Sequence, residues 1–327
     1  MPILPGDDPA ALSLAARTLA DGGLVAFPTE TVYGLAARAD DDRAVAGIFA
    51  AKGRPADHPL IVHVTDADAA RVFCADSGPV AAGLMARFWP GPLTLILPRR
   101  PGVAAAAAGG QDSIGLRCPS HPVARALMVA ASRLGVSGLA APSANRFGRV
   151  SPTTAEHVGD EFGSDLLVLD GGACAVGIES TIVDCTRLPP ALLRPGGVPR
   201  SAIEAVLGHR LAAPDAARPR ASGSLESHYA PDAKVLLLDA PALRRALAEA
   251  GEVSLHTVAV YSRSLPSAPG CAAFRRMPGD AEAAAHELFA VLRALDASGA
   301  KAIWIERPPA EPDWDGVDDR LRRAAAA

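Results

Sequence analysis

The sequence predicts an α/β protein in two parts: a twisted mixed sheet with flanking helices, then a small Rossmann-like α/β unit. Three observations carry this reading. Over the first two hundred residues short apolar runs alternate with helix-period stretches, and the later runs follow one another without helices, so part of the sheet is antiparallel. Residues 208–232 then lose any regular period and are rich in Pro, Ala, Ser and Arg. From residue 234 strand and helix patterns alternate again, in the order of a mainly parallel sheet. The expected domains are therefore 1–207, a linker or lid over 208–232, and 233–327.

Each element has its own signal. Residues 9–21 carry a helical period that Gly22-Gly23 closes. LVAFP (24–28) is a buried strand, and Asp41 or Asp42 caps a helix that runs to Lys52 and stops at Gly53 and Pro55. Strands follow at 60–64, 93–97, 113–117, 138–142, 166–170, 180–184 and 191–195, with helices near 79–88, 121–134, 153–162 and 201–207. In the second part KVLLLD, HTVAVYS, CAAFRRM and KAIWIE are strands. ALRRALAEA, the stretch from Asp280 to Gly299 and DDRLRRAAAA are helices. No GxGxxG occurs there, so a dinucleotide site has no support.

With 49% hydrophobic and 21% charged residues the chain has the composition of a folded globular protein. Its formal net charge of −4 is evenly spread: residues 1–200 hold 17 basic and 19 acidic side chains, and the remainder 15 and 17. A protein dedicated to nucleic acid carries a basic excess, because phosphate neutralisation supplies most of the affinity, and this balance speaks against an RNA-binding module. The five cysteines form no CxxC pair, which suits reduced, buried thiols rather than disulfides or zinc. MPILPGDDPA lacks a secretory leader pattern and no run of about 18 apolar residues occurs, so a cytoplasmic protein without membrane association is expected. One count is unusual. Of the 32 basic residues only Lys52, Lys234 and Lys301 are lysine.

No Walker A, GxSxG or HExxH motif is present. Polar residues gather instead at strand ends. FPTETVYGLAARAD (27–40) presents Thr29, Glu30 and Thr31, where Pro28 also permits a plain turn with capping hydroxyls. AKGRPADHPLIVHV (51–64) sets Lys52 and Arg54 around Gly53, followed by His58 and His63. Two cations on such a turn either converge on one anion or neutralise a helix C-terminus. Arg117 ends the strand that Ser113 begins, and a cation there must reach solvent or meet an anion. APSANRFGRVSPT (141–153) carries Ser143, Asn145, Ser151 and Thr153, and Ser151 can cap the helix that follows. GIESTIVD and LLRPGG bring Ser180, Thr181 and Arg194 to strand ends. Lys52, Arg54, Arg117 and Arg194 among these hydroxyls suit a small phosphate-bearing ligand and not a hydrolytic triad.

PTETVYGL (28–35), KGRP with its HPL (52–60), PGPLT (90–94), the SxN of Ser143 and Asn145, SPT (151–153), STIVD (180–184) and LRPG (193–196) stand in one order. In that order they resemble the two-domain threonylcarbamoyl-AMP synthases, and the SHYAP segment (227–231) and the C-terminal part look like that family too. The fold so implied is a YrdC-like mixed sheet with a Sua-type C-terminal domain. One position departs from the family: Phe147 stands where a serine is usual. The resemblance implies that L-threonine, bicarbonate and ATP become threonylcarbamoyl-adenylate and pyrophosphate, with Mg²⁺ on the nucleotide and no metal held by the protein. A downstream threonylcarbamoyl transferase complex would use the adenylate to modify tRNA beside the anticodon, so this chain itself needs no stable hold on nucleic acid. Thr31, His63, Arg117, Ala141 and Ser180 or Thr181 are the implied threonine contacts. Arg54, His58, Ser113, Ser143, Ser151, Arg194 and Tyr229 are the implied ATP contacts, Tyr229 closing over the nucleotide from the linker. Lys52, Arg54, Ser143 and Asn145 make up the KxR and SxN signatures to which the catalytic role falls.

Overall fold

The computed structural model describes residues 3–213, 215, 218–223 and 228–327. Contacts divide the chain into two units, Met1–Phe147 with Ser151–Ser224, and Gly148–Val150 with Leu225–Ala327. Part of the expected linker and lid, residues 214, 216–217 and 224–227, lies outside the described residues.

The first unit opens with β1 (Ile3–Pro5), α1 (Pro9–Ala20), β2 (Val25–Phe27), β3 (Gly34–Arg38), α2 (Asp42–Lys52), β4 (Ile61–His63), α3 (Ala67–Ala70) and α4 (Gly78–Phe88). It continues with β5 (Leu93–Pro98), β6 (Ser113–Arg117), α5 (Pro122–Ser132), β7 (Leu139–Ala140), α6 (Ala155–Phe162), β8 (Leu167–Asp170), β9 (Thr181–Asp184), β10 (Ala191–Arg194) and α7 (Arg200–Leu207). Asp8 and Asp41 accept the first free N–H groups of α1 and α2, and Gly53 ends α2 at a φ of 65°, which glycine alone adopts without strain. The strands make one ten-stranded mixed sheet in the order β1-β8-β2-β3-β7-β4-β6-β5-β9-β10.

Period-two alternation sorts its faces. Val62, Leu95, Leu97, Leu116 and Val183 point into a core with Ile48 and Phe49 of α2, Leu84 of α4, Val158 of α6 and Ile203 of α7. On the other face Val25, Phe27, Ala36 and Leu169 pack under α1 and α5. Further along that face Ile61, Ile96 and Ile182 are covered by Ala212 and Ala221. The described part of 208–223 is thus laid on the sheet, and Arg220 pins it by pairing with Asp57 at 2.8 Å and exchanging hydrogen bonds with Gln111.

Some local expectations are corrected. β1 and β3 carry no strand signal, since GLAAR has no β-branched or aromatic residue; β3 forms because β2 and β7 pair with it on both sides. The strand expected at 138–142 shrinks to the two residues of β7 before Pro142, which has no N–H to donate. α6 is capped by Thr154, whose Oγ1 accepts the His157 N–H at 3.4 Å, and not by Ser151.

The second unit comprises β11 (Lys234–Leu238), α8 (Ala240–Glu249), α9 (Glu252–Leu255), β12 (Val258–Ser262), β13 (Ala273–Arg276), α10 (Ala281–Asp296), β14 (Ala302–Glu306) and α11 (Asp315–Ala325). Its sheet, β11-β14-β12-β13, is parallel throughout. Tyr229 belongs to this unit: its ring lies 5.3 Å from that of Phe289 in α10, with the Arg320 guanidinium 5.5 Å from its centre. Gly148 accepts the Ala230 N–H at 2.8 Å, and Arg149 forks onto Asp232. Among the described residues no helix is long and apolar enough to cross a membrane.

The glycine of the LRPG motif has a packing reason. A Cβ at Gly196 would sit 2.3 Å from the Glu179 carbonyl oxygen and 2.7 Å from the Ser180 carbonyl carbon. Gly196→Ala is expected to destabilise the first unit by about 2 kcal/mol in urea unfolding, the cost of overpacking against backbone. An unchanged midpoint would show that this turn gives way freely.

Candidate active site

Five neighbouring strands, β4-β6-β5-β9-β10, bring one polar side chain each toward a common end of the sheet. In that order they are His63, Arg117, Thr94, Ser180 (just before β9) and Arg194. His63 pairs in register with Arg117, and Thr94 and Arg194 both pair with Ile182. All lie on the face of Ile61, Ile96 and Ile182, because their neighbours Val62, Leu116, Leu95 and Val183 are committed to the core behind.

Arg117, 4% exposed, is held from three sides. Its Nη2 lies 2.7 Å from a Glu30 carboxylate oxygen, Nη1 donates to Thr31 Oγ1 at 2.8 Å, and Nε donates to the Gly91 carbonyl at 3.3 Å. The other Glu30 oxygen accepts the Ser120 N–H at 3.1 Å. Thr29 and Thr31 share a hydroxyl contact of 2.8 Å, and Thr29 donates to the Val32 carbonyl. The PTET stretch is therefore a capped turn and a guanidinium cradle at once. Beside it His63 is buried, edge-on to Phe27, with Nδ1 lacking a hydrogen-bond partner among the described residues. Burial and the Arg117 charge push its pKa down to about 3, so the imidazole is neutral.

Ser180 Oγ lies 2.8 Å from Thr94 Oγ1 and accepts from Arg194 Nη2 at 3.2 Å. Arg194 also donates to the Ser180 carbonyl at 2.9 Å and to the Ser222 carbonyl at 2.9 Å. Thr181 faces the other way: its hydroxyl donates to the Val198 carbonyl at 2.7 Å and accepts the Val198 N–H at 2.9 Å. Ser151 donates to the buried Glu179 carboxylate at 2.5 Å.

A second group forms at the end of α2. Lys52 is 3% exposed, and its Nζ donates to the Ser143 carbonyl at 2.6 Å and to the Asn145 carbonyl. The Lys52 carbonyl in turn accepts the Phe147 N–H at 2.9 Å, and Ser143 bridges to Gly34. The KxR and SxN motifs are thus joined by one side chain. Burial and the nearby Arg54 push the Lys52 pKa well below that of an ordinary lysine. The Arg54 guanidinium lies 5.7 Å from the Phe147 ring centre and the His58 ring lies 5.5 Å from it. The position that departs from the family pattern therefore touches two of the residues implied for ATP, and is not peripheral.

Other named residues stand apart from these groups. Ser113 begins β6 on the Arg117 face but about 13 Å along the strand. Ala141 is two rungs from His63 and donates its N–H to the Ile61 carbonyl at 2.9 Å. Tyr229 lies in the second unit. Sequence reading passed over Glu179 and Ser222. For Glu179 the signal was present, since a carboxylate flanked by Ile178 and Ser180 in a buried run must find a partner. Among the described residues no group of three or more His, Cys, Asp or Glu could hold a metal ion. What the face offers is buried cations, oriented hydroxyls and one neutral imidazole, a set suited to gripping anions rather than to nucleophilic attack by the protein.

Lys52→Arg keeps a cation but replaces a point donor by a broad fork that cannot surrender its proton in a dry site. Turnover is expected to fall on the order of a hundredfold through misplacement of the SxN loop. Wild-type turnover would mean that any cation suffices there. His63 gives a pH signature. It stays neutral in the fold down to about pH 3 but protonates near 6.5 when unfolded, so between these values the unfolded state binds more protons and stability falls as pH falls. His58 and His121, also held below the ordinary value by burial, act in the same direction. Urea midpoints between roughly pH 7 and pH 5 should show the decline, at up to ~1.4 kcal/mol per pH unit from His63. His63→Gln should reduce that slope; the same slope in both proteins would refute the assignment.

Comparison with known proteins places the chain. The family model described as "Telomere recombination" matches residues 17–196, and that described as "Threonylcarbamoyl-AMP synthase, C-terminal domain" matches residues 198–326. A threonylcarbamoyl-AMP synthase of Pyrococcus abyssi is 38% identical over 96% of this chain and 94% of its own length. One of Schizosaccharomyces pombe is 37% identical over 99% of this chain and 90% of its own length. The crystal structure of P. abyssi Sua5 complexed with L-threonine matches with a TM-score of 0.87 at 37% identity, covering 96% of this chain and 94% of that one. Two domain models in tandem and full-length relatives leave one conclusion: the chain is an enzyme of the nucleotidyl-transferring kind and belongs to the threonylcarbamoyl-AMP synthase family.

Proposed function

We propose that this chain converts L-threonine, bicarbonate and ATP into threonylcarbamoyl-adenylate and pyrophosphate. The observation that carries the reading is the buried Thr31–Arg117–His63 group beside Ser180 and Arg194, in a chain 37% identical to a protein crystallised with L-threonine. The threonine carboxylate goes to Arg117 and Thr31, a charge-assisted pairing that fixes the amino acid. The neutral His63 accepts a hydrogen bond from the substrate and leaves the amine uncompeted by a second cation. The free amine attacks the bicarbonate carbon and water leaves, giving the N-carbamate. A carbamate oxygen then attacks the α-phosphorus of ATP and pyrophosphate departs.

Every species on this path is anionic, so buried cations and fixed donors contribute more than a general base. Arg54, Arg194, His58, Ser113, Ser143 and Ser151 receive the nucleotide, while Lys52 and Asn145 hold the SxN loop in shape. Mg²⁺ would enter on the phosphates of ATP, where it would neutralise charge on the leaving pyrophosphate. The carbamate is labile in water, and residues 218–223, tied down through Ser222 and Arg220, shield the face on which it forms. The adenylate passes to a separate tRNA-modifying transferase complex, and the enzyme works in the cytoplasm.

Isotope exchange between pyrophosphate and ATP tests the reaction. Exchange should require threonine and bicarbonate together, and should stop when Mg²⁺ is chelated. Exchange indifferent to threonine would overturn the proposal, whereas steeply salt-dependent tRNA binding without ATP would favour an RNA-binding role.

A further inference from the structure

Glu30 has no part in the chemistry described above, yet its carboxylate is among the most constrained groups on this face. It is buried, it meets Arg117 Nη2 at 2.7 Å, and its second oxygen accepts the Ser120 N–H at the turn into α5. A guanidinium has five N–H groups; on Arg117 Nε is engaged by Gly91 and one N–H of Nη1 by Thr31, while Nη2 meets the Glu30 carboxylate as an ion pair at 2.7 Å and has no hydrogen-bond partner among the described residues. One N–H on Nη1 and those on Nη2 remain for a ligand. Three anchors on three different nitrogens define the plane of the group; with any two of them it can still turn about the line that joins them.

The three anchors are not equal. Gly91 and Thr31 are neutral, and only Glu30 combines charge with a tether of its own to a third segment of chain. We infer that Glu30 is a positioning residue: its charge fixes the plane of Arg117 so that the unengaged N–H groups of Nη1 and Nη2 are presented to the carboxylate of the amino-acid substrate. The assignment rests on the reading that Arg117 receives that carboxylate. Glu30 does not touch the reacting atoms. It acts through the guanidinium, and it also keeps a bare cation from being buried among neutral groups before substrate arrives.

Steady-state kinetics of the full chain, with threonine varied at saturating ATP and bicarbonate and the reverse, decide the matter. Glu30→Gln should raise the KM for threonine at least about tenfold while the KM for ATP stays within about twofold, because one charge-assisted contact is misdirected and the nucleotide contacts are untouched. Glu30→Asp, which keeps the charge, should recover part of the loss. In an Arg117→Gln background Glu30→Gln should add less than about twofold, since the two act as a unit. Should Glu30→Gln not fold, Glu30→Asp carries the test alone, and its threonine KM must rise with the ATP KM unmoved. An unaltered threonine KM, equal rises in both KM values, or a full additional effect on top of Arg117→Gln would each overturn the inference. An Arg117→Gln enzyme with an unaltered threonine KM would instead overturn the assignment of Arg117, and the role of Glu30 with it.

Discussion

A strand that buries one face in an aliphatic core can offer only every second residue to a ligand, and the first unit is organised by that limit. Val62 goes in and His63 out, Leu116 in and Arg117 out, Leu95 in and Thr94 out. A slip of one residue in any of these strands would put a polar side chain into the core and a valine or leucine into the site. The core therefore fixes the register, and the register fixes which polar side chains meet. Residues with no chemistry of their own, such as Leu116 and Val183, hold the site in place as firmly as any hydrogen bond.

Burying that many cations needs compensation, and the chain finds it in different ways. Arg117 has a carboxylate, whereas Arg194 and Lys52 rest on backbone carbonyls from loops that must themselves be held. A guanidinium keeps its charge under any such burial, but an amine yields, which is why the pKa of Lys52 falls well below the ordinary value. The scarcity of lysine thus acquires a physical content at one position: this is a slot where one small donor reaches two backbone carbonyls at once.

The sequence made the strong patterns legible. β-branched and leucine-rich runs announced β4, β5, β6, β9 and the parallel sheet of the second unit, and aspartates and glycines marked helix ends. It failed where local preference is silent: β3 has no β-branched or aromatic residue and exists only because its neighbours pair with it. Within the site, residue types gave the cations and hydroxyls, but which of Ser180 and Thr181 turns toward Arg194 depends on the register of β9 against β5. The contact of Phe147 with Arg54 and His58 was illegible for a different reason, since it joins a loop to a helix end across about ninety residues and no period records it.

The order of strands also says when the sheet can be finished. β1 and β2 are both paired to β8, Ile3 against Val168 and Val25 against Leu167, so a strand made near the start of the chain waits for one made some 165 residues later. On a ribosome, the first strands and helix emerge with their sheet partner still unsynthesised, and the edge of β2 stays open until residue 170 has cleared the exit. Closure across so long a loop is slow, and the interval is one in which an exposed strand edge invites pairing with the wrong chain. Completion of the sheet in the first unit is thus a late event in synthesis, timed by β8 rather than by the strands made first.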